Sequence, residues 1–385
     1  MTATLLLVYL LDAAAPCAAA PAAVRVLEGP EVQPLCAALD RLGCPYRGIA
    51  RLDQAALAGC RVLVLGGQAP PAGPAEAGLV KTFLEGGGAV LGVGGGAKWL
   101  IDQKLFDARG YYPAGTTIHM SGFCGYHRLT FGYPGAKPEG DWKAGVPMLL
   151  RATGGPLMEL GPQACSILAA GGPFSLAALQ PVGKGLALVI GADPQGGNAY
   201  YSLDRPTPTP GDKLKTDPLL ANAIAFLQDP CGNLIPNAGF EENAELPPEL
   251  SNWTLGLSGG ATGTWCRDGA PAGQIFLRVQ CPPRSSASVR PHCPIVVQRG
   301  AEYRVACLYK SSAPWTLEPR FLRGTPGAWQ PENRPAIAVP ESKEWKRHET
   351  ALAIPADVAY VELAATVRGE GELCLDEFTM QRAQR

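Results

Sequence analysis

The stretch Asp217-Pro-Leu-Leu-Ala-Asn-Ala-Ile-Ala-Phe-Leu-Gln-Asp-Pro-Cys-Gly-Asn-Leu-Ile-Pro-Asn-Ala-Gly-Phe-Glu241 divides the chain into two kinds of sequence. Its first half reads as a helix: Asp217 accepts free amides, Pro218 fits the first turn, and apolar residues continue to Leu227. Asp229-Pro230-Cys231-Gly232 then ends that helix, and no alternation of helices and strands resumes beyond it. A chain of 385 residues is long for one domain, so two are expected, 23–229 and 230–385.

Upstream of the boundary, short apolar strands alternate with amphipathic helices. Val24 to Leu27 reads as a strand; Val32, Leu35, Leu39 and Leu42 recur at helical spacing, and Gly43 supplies a stop. Arg61 to Leu65 is a strand ending in Gly66-Gly67, Ala75 to Glu85 a helix, and Ala89 to Val93 the next strand. After a Gly-rich middle, Leu186 to Ile190 makes a further buried strand. Such an order predicts a mostly parallel sheet covered on both faces.

Downstream, strand-like segments are separated by Pro, Gly, Asn and Ser. The clearest are Gln274–Gln280, Pro294–Gln298, Tyr303–Tyr309, Ala336–Val339, Lys346–Ile354, Tyr360–Thr366 and Glu372–Met380. Their spacing predicts an antiparallel β-sandwich.

Charge and composition exclude some functions. With 33 basic and 34 acidic residues the net charge is −1, which supplies no field for nucleic acid. The run Leu5–Leu11 and the Ala-rich sequence to Ala23 read as a signal peptide over 1–22, hence a secreted or envelope protein; the alternative is a first strand, Thr4–Leu11, in a cytoplasmic one. No later stretch is long and apolar enough to span a bilayer. Twelve cysteines are scattered without a CxxC pair, which argues against zinc. They read either as buried thiols or, after export, as disulfides among Cys231, Cys266, Cys281, Cys293 and Cys307.

Three segments of the first domain, taken in order, resemble a known family. Val62-Leu-Val-Leu-Gly-Gly67, Gly88-Ala-Val-Leu-Gly-Val-Gly-Gly-Gly-Ala97 and Gly185-Leu-Ala-Leu-Val-Ile-Gly-Ala-Asp-Pro-Gln195 are similar to the class I glutamine-amidotransferase-like fold, with its ThuA-like and biotin-ligase-N-terminal relatives. The resemblance implies a flavodoxin-like parallel sheet over residues 24–229. It also implies a nucleophile on a Gly-x-Cys-x-Gly elbow and a His-Pro-Glu base sequence. Here those positions carry Gly94, Asp193 and Gln195, so neither nucleophile nor base is supplied and no glutaminase is expected. What remains is a cradle of Gly66, Gly67, Gly94, Gly95 and Asp193 at strand ends, a ligand site or simply a place of tight turning. In the middle segment His119, Cys124, His127 and Asp141 stand near one another without an elbow pattern, and structural roles are expected.

The second domain carries the more specific resemblance. Asn233-Leu-Ile-Pro-Asn-Ala-Gly-Phe-Glu241, Trp253, Trp345-Lys346-Arg347 and Leu373-Cys-Leu-Asp-Glu-Phe378 resemble the cellulase-C type of carbohydrate-binding module. This implies a jelly roll that binds a polysaccharide or glycan without catalysis. It implies a structural Ca²⁺ near the first and last strands, with Gly239, Glu241 and Asp376 as the oxygen donors; hard oxygen ligands suit that ion. Sugar recognition calls for an aromatic face with polar groups at its rim. Trp315 and Trp329, flanking Arg320 and Arg323, are the candidates for an exposed platform, whereas Trp253 and Trp345 are expected in the core. The expectation is a non-catalytic, glycan-associated protein. Its alternatives are a carbohydrate-active hydrolase, or an accessory subunit of one, with a site in the first domain, and a surface adhesion protein.

Overall fold

The computed structural model describes residues 23–29, 32–67, 73–111, 117–120, 122–123, 128–130, 148–151, 156–169, 174–191, 198–199, 213–214, 217–235, 238–241, 253–292, 294–324 and 329–383. The first domain opens with strands β1 (Val24–Leu27), β2 (Tyr46–Ile49), β3 (Val62–Leu65) and β4 (Ala89–Val93), joined by helices α1 (Gln33–Arg41), α2 (Gln54–Leu57) and α3 (Pro74–Glu85). Helix α4 (Gly95–Asp102) follows β4. Then come β5 (Ala108–Tyr111), β6 (Thr117–Met120), β7 (Gly122–Phe123), β8 (Met148–Arg151), β9 (Leu157–Leu160), β10 (Cys165–Ala169), β11 (Phe174–Val182) and β12 (Gly185–Ile190). The short pair β13 (Asn198–Ala199) and β14 (Lys213–Leu214) precedes α5 (Asp217–Gln228).

The main sheet runs β2-β1-β3-β4-β12-β11-β10-β7. Its first five strands are parallel, and β11 and β10 then extend it antiparallel. Counting β12 as the fifth parallel strand, the order is 2-1-3-4-5, as in flavodoxin-like sheets. The central strands β3, β4 and β12 carry no polar side chain because both faces are covered, and β1 departs from this only at the buried Arg25. Val62 and Val64 share a core with α1 and α5, while Leu63 and Leu65 meet α3 and α4 on the other side. Polar Tyr46-Arg-Gly-Ile49 forms β2 because it is an edge strand with little burial.

The second domain is a β-sandwich. In chain order its strands are β15 (Trp253–Ser258), β16 (Thr262–Cys266), β17 (Phe276–Cys281), β18 (Ser286–Pro291), β19 (Ile295–Val296), β20 (Glu302–Ser311), β21 (Trp315–Arg323), β22 (Gln330–Asn333), β23 (Ile337–Val339), β24 (Ser342–Ala353), β25 (Tyr360–Arg368) and β26 (Gly371–Arg382). One sheet runs β15-β18-β25-β21-β22, with β19 beside β25 and β23 beside β21; the other runs β16-β17-β26-β20-β24. Alternate residues point inward: Leu317 and Phe321 of β21 and Leu363 and Ala365 of β25 face Val305 of β20 and Leu375 of β26 in one core.

The two domains share buried surface. Val296, Leu322 and Tyr360, on the outer face of the seven-stranded sheet, join the core cluster that includes Leu179, Leu186 and Phe226 of the first domain. Tyr360 Oη donates to the Ser166 carbonyl at 2.9 Å, and the Cys165 thiol faces the Val297 carbonyl at 3.8 Å. The first domain therefore covers one end of that sheet, and among the described residues the rest is open.

The nine described cysteines are thiols, four of them buried. This corrects the expectation of disulfides for Cys231, Cys266, Cys281 and Cys307; Cys281 and Cys307 pack in the sandwich core as small apolar groups. Cys293 lies outside the described residues, as does the segment 1–22 read as a signal peptide. Among the described residues no helix is long and apolar enough to cross a membrane.

Candidate functional site

At the carboxyl end of β4 the chain turns sharply through Gly94 into α4. Gly94 has φ 55° and ψ −115°, its amide donates to the Ile190 carbonyl at 3.0 Å, and its carbonyl accepts from Lys98. A Cβ placed there would meet nothing nearer than the Gly67 carbonyl at 3.9 Å. The geometry is that of a strand-to-helix elbow, which elsewhere holds a nucleophile clear of the sheet. This elbow has no side chain. Gly66, Gly67, Gly94 and Gly95 are brought together at the ends of β3 and β4, but packing accounts for part of the set. A Cβ on Gly66 would stand 2.5 Å from Leu35, and one on Gly96 only 2.0 Å from the Leu65 carbonyl. Asp193, Gln195, Cys124, His127 and Asp141 lie outside the described residues, and of His119 only the backbone is described.

A second cluster sits where the sandwich begins and ends. Phe240 is fully buried, its ring 4.8 Å from Trp253 and 5.4 Å from Trp265, and its backbone is left-handed at φ 59°. That anchor fixes Gly239 and Glu241 on either side of it. Gly239 lies against both the Glu241 side chain and Asp376. Glu241 Oε1 accepts from the amides of Gln274 and Ile275 at 2.7 and 3.0 Å; a Cβ on Gly273 would overlap this oxygen. Asp376 is wholly buried and accepts from Ala272 at 3.3 Å and from Glu377 at 2.7 Å. Burial pushes its carboxyl up to about 7 against those two hydrogen bonds, and the charges of Glu377 and Glu241 push the same way. Two carboxylates thus share one site with acidic neighbours, an arrangement that fits a hard cation with backbone carbonyls completing its shell. Among the described residues no group of three His, Cys, Asp or Glu side chains converges as a metal site.

The third feature is the open face of the seven-stranded sheet. Side chains that alternate with the core positions stand in rows across β15, β18, β25 and β21: Thr254 beside Arg290, Ser288 beside Thr366, Thr366 beside Thr316, and Glu362 beside Arg320. Glu362 accepts from Arg290 at 3.4 Å and Arg320 at 3.2 Å, with the two guanidiniums 39% and 45% exposed. Arg368 pairs with Glu318 at 2.6 Å. Burial works to raise Glu318, but hydrogen bonds from Arg368 and Thr316 outweigh it and hold the carboxyl below its usual range. Burial and the adjacent Arg290 push His292 below its usual range, and its Nδ1 lies 3.0 Å from Thr254 Oγ1. The result is a flat, hydrogen-bonding surface of hydroxyls, guanidiniums and carboxylates.

The tryptophans are distributed differently from expectation. Trp315 is not a platform: it is 1% exposed, inside the sandwich, edge-on to Tyr309 at 5.5 Å. It shares the inward face of β21 with Leu317 and Phe321, while Arg320, an odd number of residues along the strand, faces out. Trp345 is not in the core either. It stands half-buried beyond the five-stranded sheet, edge-on to Phe276, with its indole N–H on the Gly269 carbonyl at 3.0 Å. Trp253 is fully buried. Trp329 is partly buried, packed on the core cluster at the domain junction and edge-on to Tyr360 at 4.6 Å. Arg323 is bound by Glu332 at 2.7 Å and by Asp357. Of the proposed platform, Arg320 lies at the open face and Trp329 at its covered end, and Glu362, which no sequence motif marks, is the central acceptor.

No protein-family model matches the sequence, and no curated protein matches it. Among solved structures the chain is similar to TmCBM61 in complex with β-1,4-galactotriose, at 16% identity, covering 40% of this chain and 99% of that one, with a TM-score of 0.30. It is similar to the CBM22-1 xylan-binding domain of Paenibacillus barcinonensis Xyn10C, at 16% identity, 35% of this chain and 88% of that one, TM-score 0.26. It is also similar to the enzymatically active domain of tailspike protein 4 of bacteriophage CBA120, at 17% identity and TM-score 0.31, spanning 39% of this chain but only 21% of that one. The second domain is a two-sheet β-sandwich on its own strand order. Likeness at this level does not extend to function.

Proposed function

We propose that the chain binds a glycan on the open face of the seven-stranded sheet, and that the first domain is a non-catalytic, amidotransferase-like scaffold closing one end of that face. The observation that carries this is the Arg290–Glu362–Arg320 array set among Thr254, Ser288 and Thr316. Vicinal sugar hydroxyls are matched by a carboxylate that accepts and guanidiniums that donate in a fixed plane. Trp329, at the covered end of the face, offers an apolar edge beside that polar array. A Ca²⁺ held by Glu241, Asp376 and the Gly239 carbonyl would brace the sandwich away from the sugar. Secretion accords with this reading and rests on the resemblance of the sandwich and on residues 1–22.

The test is retention on a panel of soluble and insoluble polysaccharides. Wild-type protein is expected to bind at least one of them. Glu362→Gln removes charge-assisted hydrogen bonds worth about 1.5–3 kcal/mol, which weakens binding roughly 10- to 150-fold. Glu362 is at the surface, so the melting temperature should move little. Wild-type protein that binds nothing on the panel, or an E362Q variant that binds as well as wild type, removes the assignment of this face.

The scaffold reading has its own test. Because Gly94 offers no nucleophile, purified protein is expected to release no ammonia from glutamine. Ammonia above buffer background that is lost on replacing one cysteine or serine would show a working site. Release of sugars from an oligosaccharide would instead favour the carbohydrate-active enzyme.

A further inference from the structure

At the opposite end of the main sheet from Gly94, a crevice of about 520 Å³ opens at the amino ends of β3, β4 and β12. Its walls come from the last turns of α3 and α5, and the end of β26 closes it, so both domains contribute. Three cationic side chains reach it: Arg61 before β3, Lys184 in the turn into β12, and Arg382 at the end of the sandwich. Among the described residues no Asp or Glu lines it.

Local structure does not consume this charge. Among the described residues none of the three cations forms an ion pair, whereas the nearby acids Glu85 and Asp229 are engaged by Lys81 at 3.9 Å and Arg128 at 3.5 Å. Helix carboxyl ends attract cations, but each is equivalent to only about half a negative charge. Two such ends leave the crevice well on the positive side. The terminal carbonyls of α3 are also already satisfied: Thr82, Phe83, Leu84 and Glu85 accept from the backbone amides of Gly86, Gly88, Gly87 and Lys184. Cys60, also in the wall, brings no compensating thiolate, since burial pushes it up to about 11.

From the cavity and its unopposed charge we infer that this crevice binds an anionic sugar, a mono- or disaccharide bearing a carboxylate, phosphate or sulfate. Its volume lies in the range of small-molecule sites, about 300–1,000 Å³. Arg61 and Lys184 take the anionic group. The Gln228 amide and the Thr82 hydroxyl, whose oxygen still accepts while its proton goes to the Gly78 carbonyl, meet ring hydroxyls. Phe83 supplies an apolar wall. The site is independent of the open sandwich face, and Arg382 makes its occupancy depend on both domains staying docked.

The experiment is calorimetric titration of the full chain with galacturonic acid, glucose 6-phosphate, glucose 6-sulfate, glucose and inorganic phosphate. At least one acidic sugar is expected to bind more than about tenfold tighter than glucose, a difference of about 1.4 kcal/mol. The acidic sugar that binds best identifies the anionic group. Binding should weaken as salt is raised, as expected for partly exposed charges. Arg61→Ala with Lys184→Ala, both at exposed positions, should remove at least tenfold of the affinity without lowering the melting temperature, and E362Q should leave it unchanged. The inference is overturned if no acidic sugar binds at about 10 mM, a concentration that would reveal affinities worth about 3 kcal/mol. It is equally overturned if the double variant binds as wild type, or if inorganic phosphate binds as tightly as the best sugar.

Discussion

Trp315→Ala is expected to destabilise the sandwich by about 3–5 kcal/mol, the cost of truncating a fully buried aromatic in a packed core. From β21 in one sheet the ring reaches the inner surface of the other, edge-on to Tyr309 of β20 at 5.5 Å and 6.0 Å from His348 of β24. No neighbour can fill the space, because Leu317 and Phe321 are fixed by strand pairing to β25. A second substitution separates packing from polarity. The indole N–H of Trp315 has no hydrogen-bond partner among the described residues. Trp315→Phe therefore removes an unsatisfied donor along with some volume, and should cost well under half as much as alanine. Calorimetric unfolding of the full chain reads both variants. Alanine at 315 that melts like wild type would mean the ring is not in the core. Trp329→Ala should leave the sandwich transition in place and act at the domain junction, where the ring meets Tyr360.

The contrast between these two tryptophans shows where sequence reading succeeds. β3, β4 and β12 were legible because each is a continuous apolar run bounded by glycine, the mark of strands buried on both faces, and β1 because Val24, Val26 and Leu27 outweigh the single Arg25. β2 was not, since an edge strand such as Tyr46-Arg-Gly-Ile49 can be polar and still pair on one side. In the sandwich, the strands rich in Val, Leu and Tyr were found within a few residues. β15, β16 and β18 were missed because their outer positions are Gly, Ser and Thr and look like loop, and β21 and β22 were missed because Pro and Gly interrupt or flank them. Trp315 was misassigned from its Pro- and Gly-rich surroundings, although the period-2 pattern Trp315, Leu317, Phe321 against Thr316, Glu318, Arg320 carried the right answer. The same pattern in Tyr360, Glu362, Ala364 marks Glu362 as facing outward. What no pattern could carry was the domain junction: Val296, Leu322 and Tyr360 look like ordinary sandwich positions until another domain lies on them.

Asp376 should make the stability of the sandwich depend on pH in a direction that a cation reverses. Its carboxyl is pushed up to about 7 in the folded protein by burial, against 3.8 for the free side chain. Between those values the folded state keeps a proton that the unfolded state has released. The contribution is therefore fully present below about pH 4 and is lost as pH rises through about 7. At about 1.4 kcal/mol per unit, the full loss is on the order of 4 kcal/mol. Each kcal/mol lowers the melting temperature by roughly 2–4 °C for a domain of this size. In chelator, then, the sandwich should melt lower at pH 8 than at pH 5. Ca²⁺ binds the ionised pair Glu241 and Asp376 in the folded state only, so millimolar calcium should raise the melting temperature most at pH 8 and flatten or invert the trend. Asp376→Asn has no proton to lose and one oxygen donor of no charge, so both the fall with pH and the calcium response should shrink together. A melting profile identical with and without calcium at pH 8 would leave Gly239, Glu241 and Asp376 as a hydrogen-bonded corner of the fold. A profile flat from pH 5 to 8 in chelator would instead show that Asp376 is already ionised there, held by the amides of Ala272 and Glu377 alone.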